Sequence, residues 1–360
     1  MRRHAAAVLA ATLILAGCAG EPQPETVTTS ETTETTTVVP DATITIRSVG
    51  DILVHSDVYN AAATDEGYDF SPMFAPVKEY MEDADITTAN MEVPVAGPQY
   101  RLSGYPQFNA PPEIIDGLLD AGVDIVNNAT NHSLDRGGEG VSASVSNMRE
   151  RGMPYSGSFS SEQDRDTPRI IEENGIKVGF LSYTYGTNGL PVPEEYMVNL
   201  IDPEPMARDL AALDEQVDVL VTMLHMGEEY SPLPVEYQKE MAQIALDNGA
   251  EYVLGGHPHV VEPFEVASDH VIWWSHGNFL HGQWEENTKV GGIGEVTFRK
   301  KGDGTVLVDD VRYMPTYTIG PPISYNHKVI PLVDAGDYID VDAWREELRE
   351  RMNVEVVDYL

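Results

Sequence analysis

From Thr43 to His257 the chain alternates short apolar runs with helical patterns, and that alternation constrains the fold more than any other feature. "TITIRSVGDILV" (Thr43–Val54) opens with period-two alternation, and "PMFAPVKEYMED" (Pro72–Asp83) reads as a helix with proline near its start. "ADITTANMEV" is strand-like, "PPEIIDGLLDAG" (Pro111–Gly122) is a short helix stopped by glycine, and "VDIVNNA" is again a strand. Helices at 137–152, 203–216 and 234–249 then alternate with strands at 176–185, 217–227 and 250–257. A βαβα order of this kind predicts an α/β fold with a largely parallel sheet. Beyond His270, three consecutive strand-like runs are expected to form a second sheet packed on the first, with "VDAWREELRERM" (Val341–Met352) as a terminal helix. Residues 42–360 read as one domain.

The segment before this domain is different in kind. Arg2 and Arg3 precede an apolar run, Ala5 to Ala16, that ends in "LAGC". A run of about a dozen residues is short of the about 20 needed to span a bilayer, so residues 1–17 read as a cleaved leader. Cys18, the chain's single cysteine, stands where a bacterial lipobox places the lipidated residue. It predicts a lipid anchor in the bilayer at the extracytoplasmic face of the membrane, and it excludes an internal disulfide or a thiolate metal site. Residues 18–41, rich in Thr, Glu and Pro, cannot offset chain entropy by burial and read as a disordered tether. With 22 Lys+Arg against 59 Asp+Glu, the formal charge of −37 argues against nucleic acid as a partner. Solubility, for instance in salt, is the plainer explanation of that charge.

In α/β sheets ligands bind beyond the carboxyl ends of strands, so what each strand delivers there is informative. The first delivers Asp51 and His55, the second Asn90 and Glu92, and the third "NNATNHSLDRGG" with Asn127, Asn128, Asn131, His132 and Asp135. Later ends deliver His225, Glu228 and Glu229, then His257 and His259, then Ser275, His276 and Asn278. Six of the ten histidines lie in these clusters. Imidazole and carboxylate without thiolate suit a divalent ion such as Zn, Mn or Fe. In "GHPHV" the i, i+2 spacing would put both rings on one side of an extended segment, and the glycines before it would allow close backbone approach.

Taken together, "GDILVH", "NME", "NNATNHSLDRGG", "LHMGEEY", "GGHPHV" and "SHGNF" resemble the CapA family of poly-γ-glutamate capsule synthesis proteins. In motif order they also resemble the calcineurin-like metallophosphoesterase superfamily. The resemblance implies a four-layer α/β/β/α sandwich with one or two divalent ions at the strand ends. It implies Asp51, Glu92, Asn131, His225, His257 and His259 as metal ligands, with His132 as acid or transition-state donor, oriented by Asp135. His55, Asn90, Asn128, Glu228, Ser275 and Asn278 are expected to contact substrate or support the ligands. Two departures from the superfamily pattern stand out: Leu53 occupies the place of the first-motif histidine, and "NMEVP" replaces the bridging aspartate, leaving that role to Glu92.

The function implied is a membrane-anchored metal-dependent hydrolase or transferase of poly-γ-glutamate capsule synthesis or export, with membrane-bound synthase subunits as partners. A non-catalytic accessory of the synthase and a general extracellular phosphoesterase are the alternatives. For the last, Arg101 and Arg136 are the cations near the motifs.

Overall fold

The computed structural model describes residues 40–360. The leader, Cys18 and all but the end of the tether lie outside the described residues. Those residues form two large mixed sheets, a small two-stranded one, and flanking helices.

The first sheet centres on Ala42–Leu53, whose apolar alternation buries Ile44 and Ile46. On one side it runs parallel to Ile86–Met91, followed by Ile125–Asn127 and Tyr155–Ser156. On the other side it pairs antiparallel with Val290–Lys300 through residue 49, and from Asp51 parallel with Asn278–His281. The change of partner falls at Gly50, where a Cβ would lie 2.0 Å from the Gly277 carbonyl oxygen. Only glycine fits there, and Asp51 N–H donates to that same carbonyl. Val306–Ile319 and Lys328–Pro331 extend this sheet.

The second sheet runs, in spatial order, Val261–Val266, Val271–His276, Tyr252–Gly256, Val219–His225, Ile176–Thr184 and Ile170–Glu173. One apolar cluster joins the two sheets face to face, with Ile46, Phe298 and Tyr313 from the first against Met223, Tyr252 and Trp273 from the second. A second cluster packs the helix Glu113–Asp120 and its neighbours on the first sheet, and a third packs Pro203–Asp214 and Glu236–Asp247 on the second. Both helix starts and stops follow local chemistry. Asp202 caps the N-terminus before Pro203, and Gly152, at φ 77°, closes Gly137–Arg151.

Two expectations are corrected. The late strands do not make a separate sheet: Val290–Lys300 and Val306–Ile319 extend the first, and only Val271–His276 joins the second, because the chain crosses between sheets at Gly277. The helix expected over Pro72–Asp83 is two single turns, Ser71–Phe74 and Glu79–Glu82. Pro76 lies in the break, where it has no N–H to offer and its ring crowds the preceding turn.

Candidate metal centre

Parallel register aligns the polar strand ends of the first sheet. Asn278 pairs with Asp51, Asp51 with Asn90, Asn90 with Asn127, and Asn127 with Ser156. Hydrogen bonds follow the row: the Asn127 amide donates to Asn90 Oδ1, and the Asn90 amide donates to Asp51 Oδ1 at 2.6 Å. The second sheet meets this row at His225 and Gly256, which are themselves paired. A Cβ on Gly256 would crowd Asn90, Asp51 and His225 at 2.9–3.3 Å, so this glycine is what lets the two sheets' ends close on one another.

His257 and His259 follow in a turn, not in the extended segment expected. Their φ angles are 98° and 61°, in the left-handed region that non-glycine residues rarely adopt. The turn still brings both rings to one side, with centroids 5.9 Å apart. His259 Nδ1 lies 3.1 Å from Asp51 Oδ2 and 3.8 Å from Glu92. His225 Nδ1 faces the Asn90 amide at 3.1 Å, leaving Nε2 2.9 Å from Asn131 Oδ1 and 3.8 Å from Glu92.

Two sets with ligand-like spacing result, Asp51–Glu92–His259 and Glu92–His225–His257, and Glu92 belongs to both. Glu92 is fully buried, and neither of its carboxylate oxygens has a hydrogen-bond partner; His257 Nδ1 is likewise unpartnered. No Lys or Arg forms an ion pair with Asp51 or Glu92 among the described residues. Two carboxylates held together out of water without a cation are costly, and a divalent ion bridged by Glu92 would remove that cost. The all-N/O donor set fits such an ion.

Titration of the cluster points the same way. Burial alone would raise Asp51, but the hydrogen bond and charge of His259, with His225 and Asn90 behind, hold it well below the usual carboxylate range. Glu92 is pushed well above that range by burial and then by the Asp51 charge. Burial, then neighbouring histidine charge, lowers His225 far below its ordinary value and His257 to about 3. His225 and His257 are thus neutral and able to ligate.

Beside this cluster, His132 Nδ1 lies 2.8 Å from Asp135 Oδ2, and the same oxygen accepts the Phe108 N–H at 2.7 Å. Phe108 stands edge-on to His132 at 4.7 Å, so ring and acid together fix the imidazole. Asn278 joins the site, its Oδ1 3.2 Å from His259 Nδ1. Asn128 is instead bound to Ser158 through both ends of its amide. Ser275 is buried and accepts only the local Gly277 N–H, and His276 faces the Gly255 carbonyl. His55 Nδ1 is 2.8 Å from the Leu53 carbonyl, and Leu53 itself is core. Of the two glutamates after His225, Glu229 and not Glu228 reaches the cluster, in a third grouping with His257 and His259. Sequence spacing could not separate these neighbours, because the turn after Gly227 has no strand or helix period. Arg136 is occupied by the Gln107 and Asp135 carbonyls and by Ser103.

Comparison with known proteins adds a family and a fold. The model of a family described as "Bacterial capsule synthesis protein PGA_cap" matches residues 45–283. "Capsule biosynthesis protein CapA" of Bacillus anthracis is 26% identical over 283 residues, covering 74% of this chain and 66% of that protein. "PGA biosynthesis protein CapA" of Bacillus subtilis (strain 168) is 26% identical over 278 residues, covering 75% and 72%. The chain thus spans about two thirds of the first relative's length. The NAD nucleotidase NadN of Haemophilus influenzae superposes with a TM-score of 0.50 at 12% identity, covering 89% of this chain and 65% of that one. A Staphylococcus aureus protein named as a 5′-nucleotidase, solved with alpha-ketoglutarate, gives 0.50 at 14%, covering 86% and 58%. The fold is metallophosphoesterase-like.

Proposed function

The chain belongs to the bacterial capsule synthesis protein family, and from that premise we propose a metal-dependent hydrolase or transferase acting on poly-γ-glutamate during capsule formation or export. One observation carries this reading: Glu92, buried and without a hydrogen-bond partner, is shared by two sets of ligand-like groups. Asp51, Glu92 and His259 would hold one ion, and Glu92, His225, His257 and Asn131 a second, of Mn, Zn or Fe. A divalent ion there would supply Lewis acidity to a substrate oxygen and acidify water toward a pKa of ~7. Asp135 holds His132 through Nδ1, which leaves Nε2 as the nitrogen able to pass a proton to a leaving group. Asn90 and Asn127 hold Asp51 in place. The lipidated Cys18, the bilayer at the extracytoplasmic face and the membrane subunits of the polymer synthase complete the proposal.

A second reading, a non-catalytic accessory that binds polymer beside the synthase, is favoured by Leu53. It sits in the apolar core, so the Asp51 half of the centre lacks a ligand at that position. Capsule production in a strain carrying Asp51→Ala or His132→Ala separates the two. Catalysis predicts loss of polymer in both variants; full production with His132→Ala and loss only with Asp51→Ala would favour the accessory.

A further inference from the structure

Exposed aromatic rings stand around the metal centre, two of them against its histidines, and the nearby Arg136 is already occupied by carbonyls and Ser103. Tyr185 is 43% exposed with its ring 4.7 Å from that of His257, and Tyr230 is 46% exposed with its ring 6.1 Å from His259. Trp284, 61% exposed, follows Gln283, whose amide approaches Asn278 at 2.8 Å and the Tyr230 hydroxyl at 3.4 Å. Tyr105, 79% exposed, stands 6.4 Å from Phe108, the ring that packs on His132.

Tyr230 adds a second kind of observation, because its φ of 66° is left-handed. Its N–H donates to the Pro258 carbonyl at 2.8 Å, which explains the turn. It does not explain a bulky aromatic at a position where glycine or asparagine would be less strained and where burial returns little. Around the rings, the same loops supply the carboxylates Glu228, Glu229 and Glu285 and the Gln283 amide. Carboxylates accept from hydroxyl groups and repel anions that no bound metal ion holds, while the C–H faces of a pyranose pack on aromatic rings by dispersion and area burial. Four rings on four loops exceed what one planar base can use.

We propose that Tyr105, Tyr185, Tyr230 and Trp284 form a subsite for an uncharged oligosaccharide beside the metal centre. This goes beyond the polyglutamate reading and does not depend on turnover there.

Trp284 reports on it directly, since Trp273 and Trp274 are buried and Trp344 is half-buried. Tryptophan emission of the mature chain is titrated with the tetramers of N-acetylglucosamine and of glucose, with poly-γ-glutamate and AMP as comparators, in chelator-treated and manganese-loaded protein. A saturable change with either sugar is expected in both preparations. Tyr230→Ala should bind about tenfold more weakly, the scale of one lost stacking contact. Tyr359→Ala, an exposed tyrosine that stacks on Tyr80 instead, should bind unchanged. Saturation-transfer NMR should show the same sugar bound to Trp284→Phe, in which the emission signal is lost. The proposal is overturned by no saturable sugar response, by a response to poly-γ-glutamate or AMP alone, by one confined to the manganese-loaded protein, or by equal weakening in Tyr359→Ala. Failure of the metal centre to bind ions would leave it standing.

Discussion

Two groups of buried histidines lie in this protein, and they solve burial differently. In one, His225, His257 and His259 surround Asp51 and Glu92, two carboxylates with no ion-pairing Lys or Arg among the described residues. In the other, His281 and His327 are fully buried near Lys289, with Asp57 at the edge, 3.4 Å from His327, and Glu285 also acting on Lys289. Lys289 donates to the Pro321 and Gln283 carbonyls, and burial, then the Lys289 charge, pushes His281 well below its ordinary range. His281, held neutral beside a carbonyl-bound ammonium, needs no further ion. Two buried carboxylates without a Lys or Arg partner among the described residues do, and the position of the acids is what distinguishes a metal centre from a histidine-rich core.

The sharpest way to break this comparison is by metal content. Glu92→Ala, which removes the ligand shared by both sets, should reduce bound transition metal from one or two ions per chain to background by elemental analysis, while His281→Gln should leave it unchanged. Next in size is stability. Chelation should lower the melting temperature of the wild type by about 5 °C for an ion present near 100 times its Kd, and should leave Glu92→Ala unmoved.

Glu262 sharpens the contrast from another side, as a fully buried acid outside the ligand sets, with no ion-pairing Lys or Arg among the described residues and with Gln238 at 2.8 Å. Burial pushes it up to about 7. A carboxyl whose folded pKa is raised contributes stability that is fully present below the unfolded value near 4.5 and lost as pH rises through about 7. Glu262→Gln should therefore flatten the denaturant-measured stability profile over that window, by up to about 3 kcal/mol. The smallest effect is expected at His327→Leu, which replaces by apolar volume a buried imidazole that has no hydrogen-bond partner at Nδ1 and only the 3.4 Å approach of Asp57 at Nε2. Its stability should stay within about 1 kcal/mol of wild type, with metal retained.

Much of this site was legible in the sequence because strand ends are. Asp51, Asn90, Asn127 and His225 close strands whose apolar pattern is plain, and parallel register then aligns them. What lay outside strands was not. The left-handed turn of His257-Pro258-His259, the choice of Glu229 over Glu228, and the aromatic rim depend on loop geometry that no periodicity encodes. His281 and His327 were missed because neither stands in a polar cluster in sequence. His55 and His276 both stand in such clusters, yet the fold directs each to a backbone carbonyl. Sheet membership was misjudged for a simpler reason: strand-like residues do not say which edge they will join.

The most direct measurement is a crystal structure of the manganese-loaded protein with anomalous scattering recorded at the metal edge. The account predicts two peaks bridged by Glu92, one beside Asp51 and His259 and the other beside His225 and His257. Peaks that leave Glu92 unliganded, or a peak among His55, His281 and His327 instead, would contradict it.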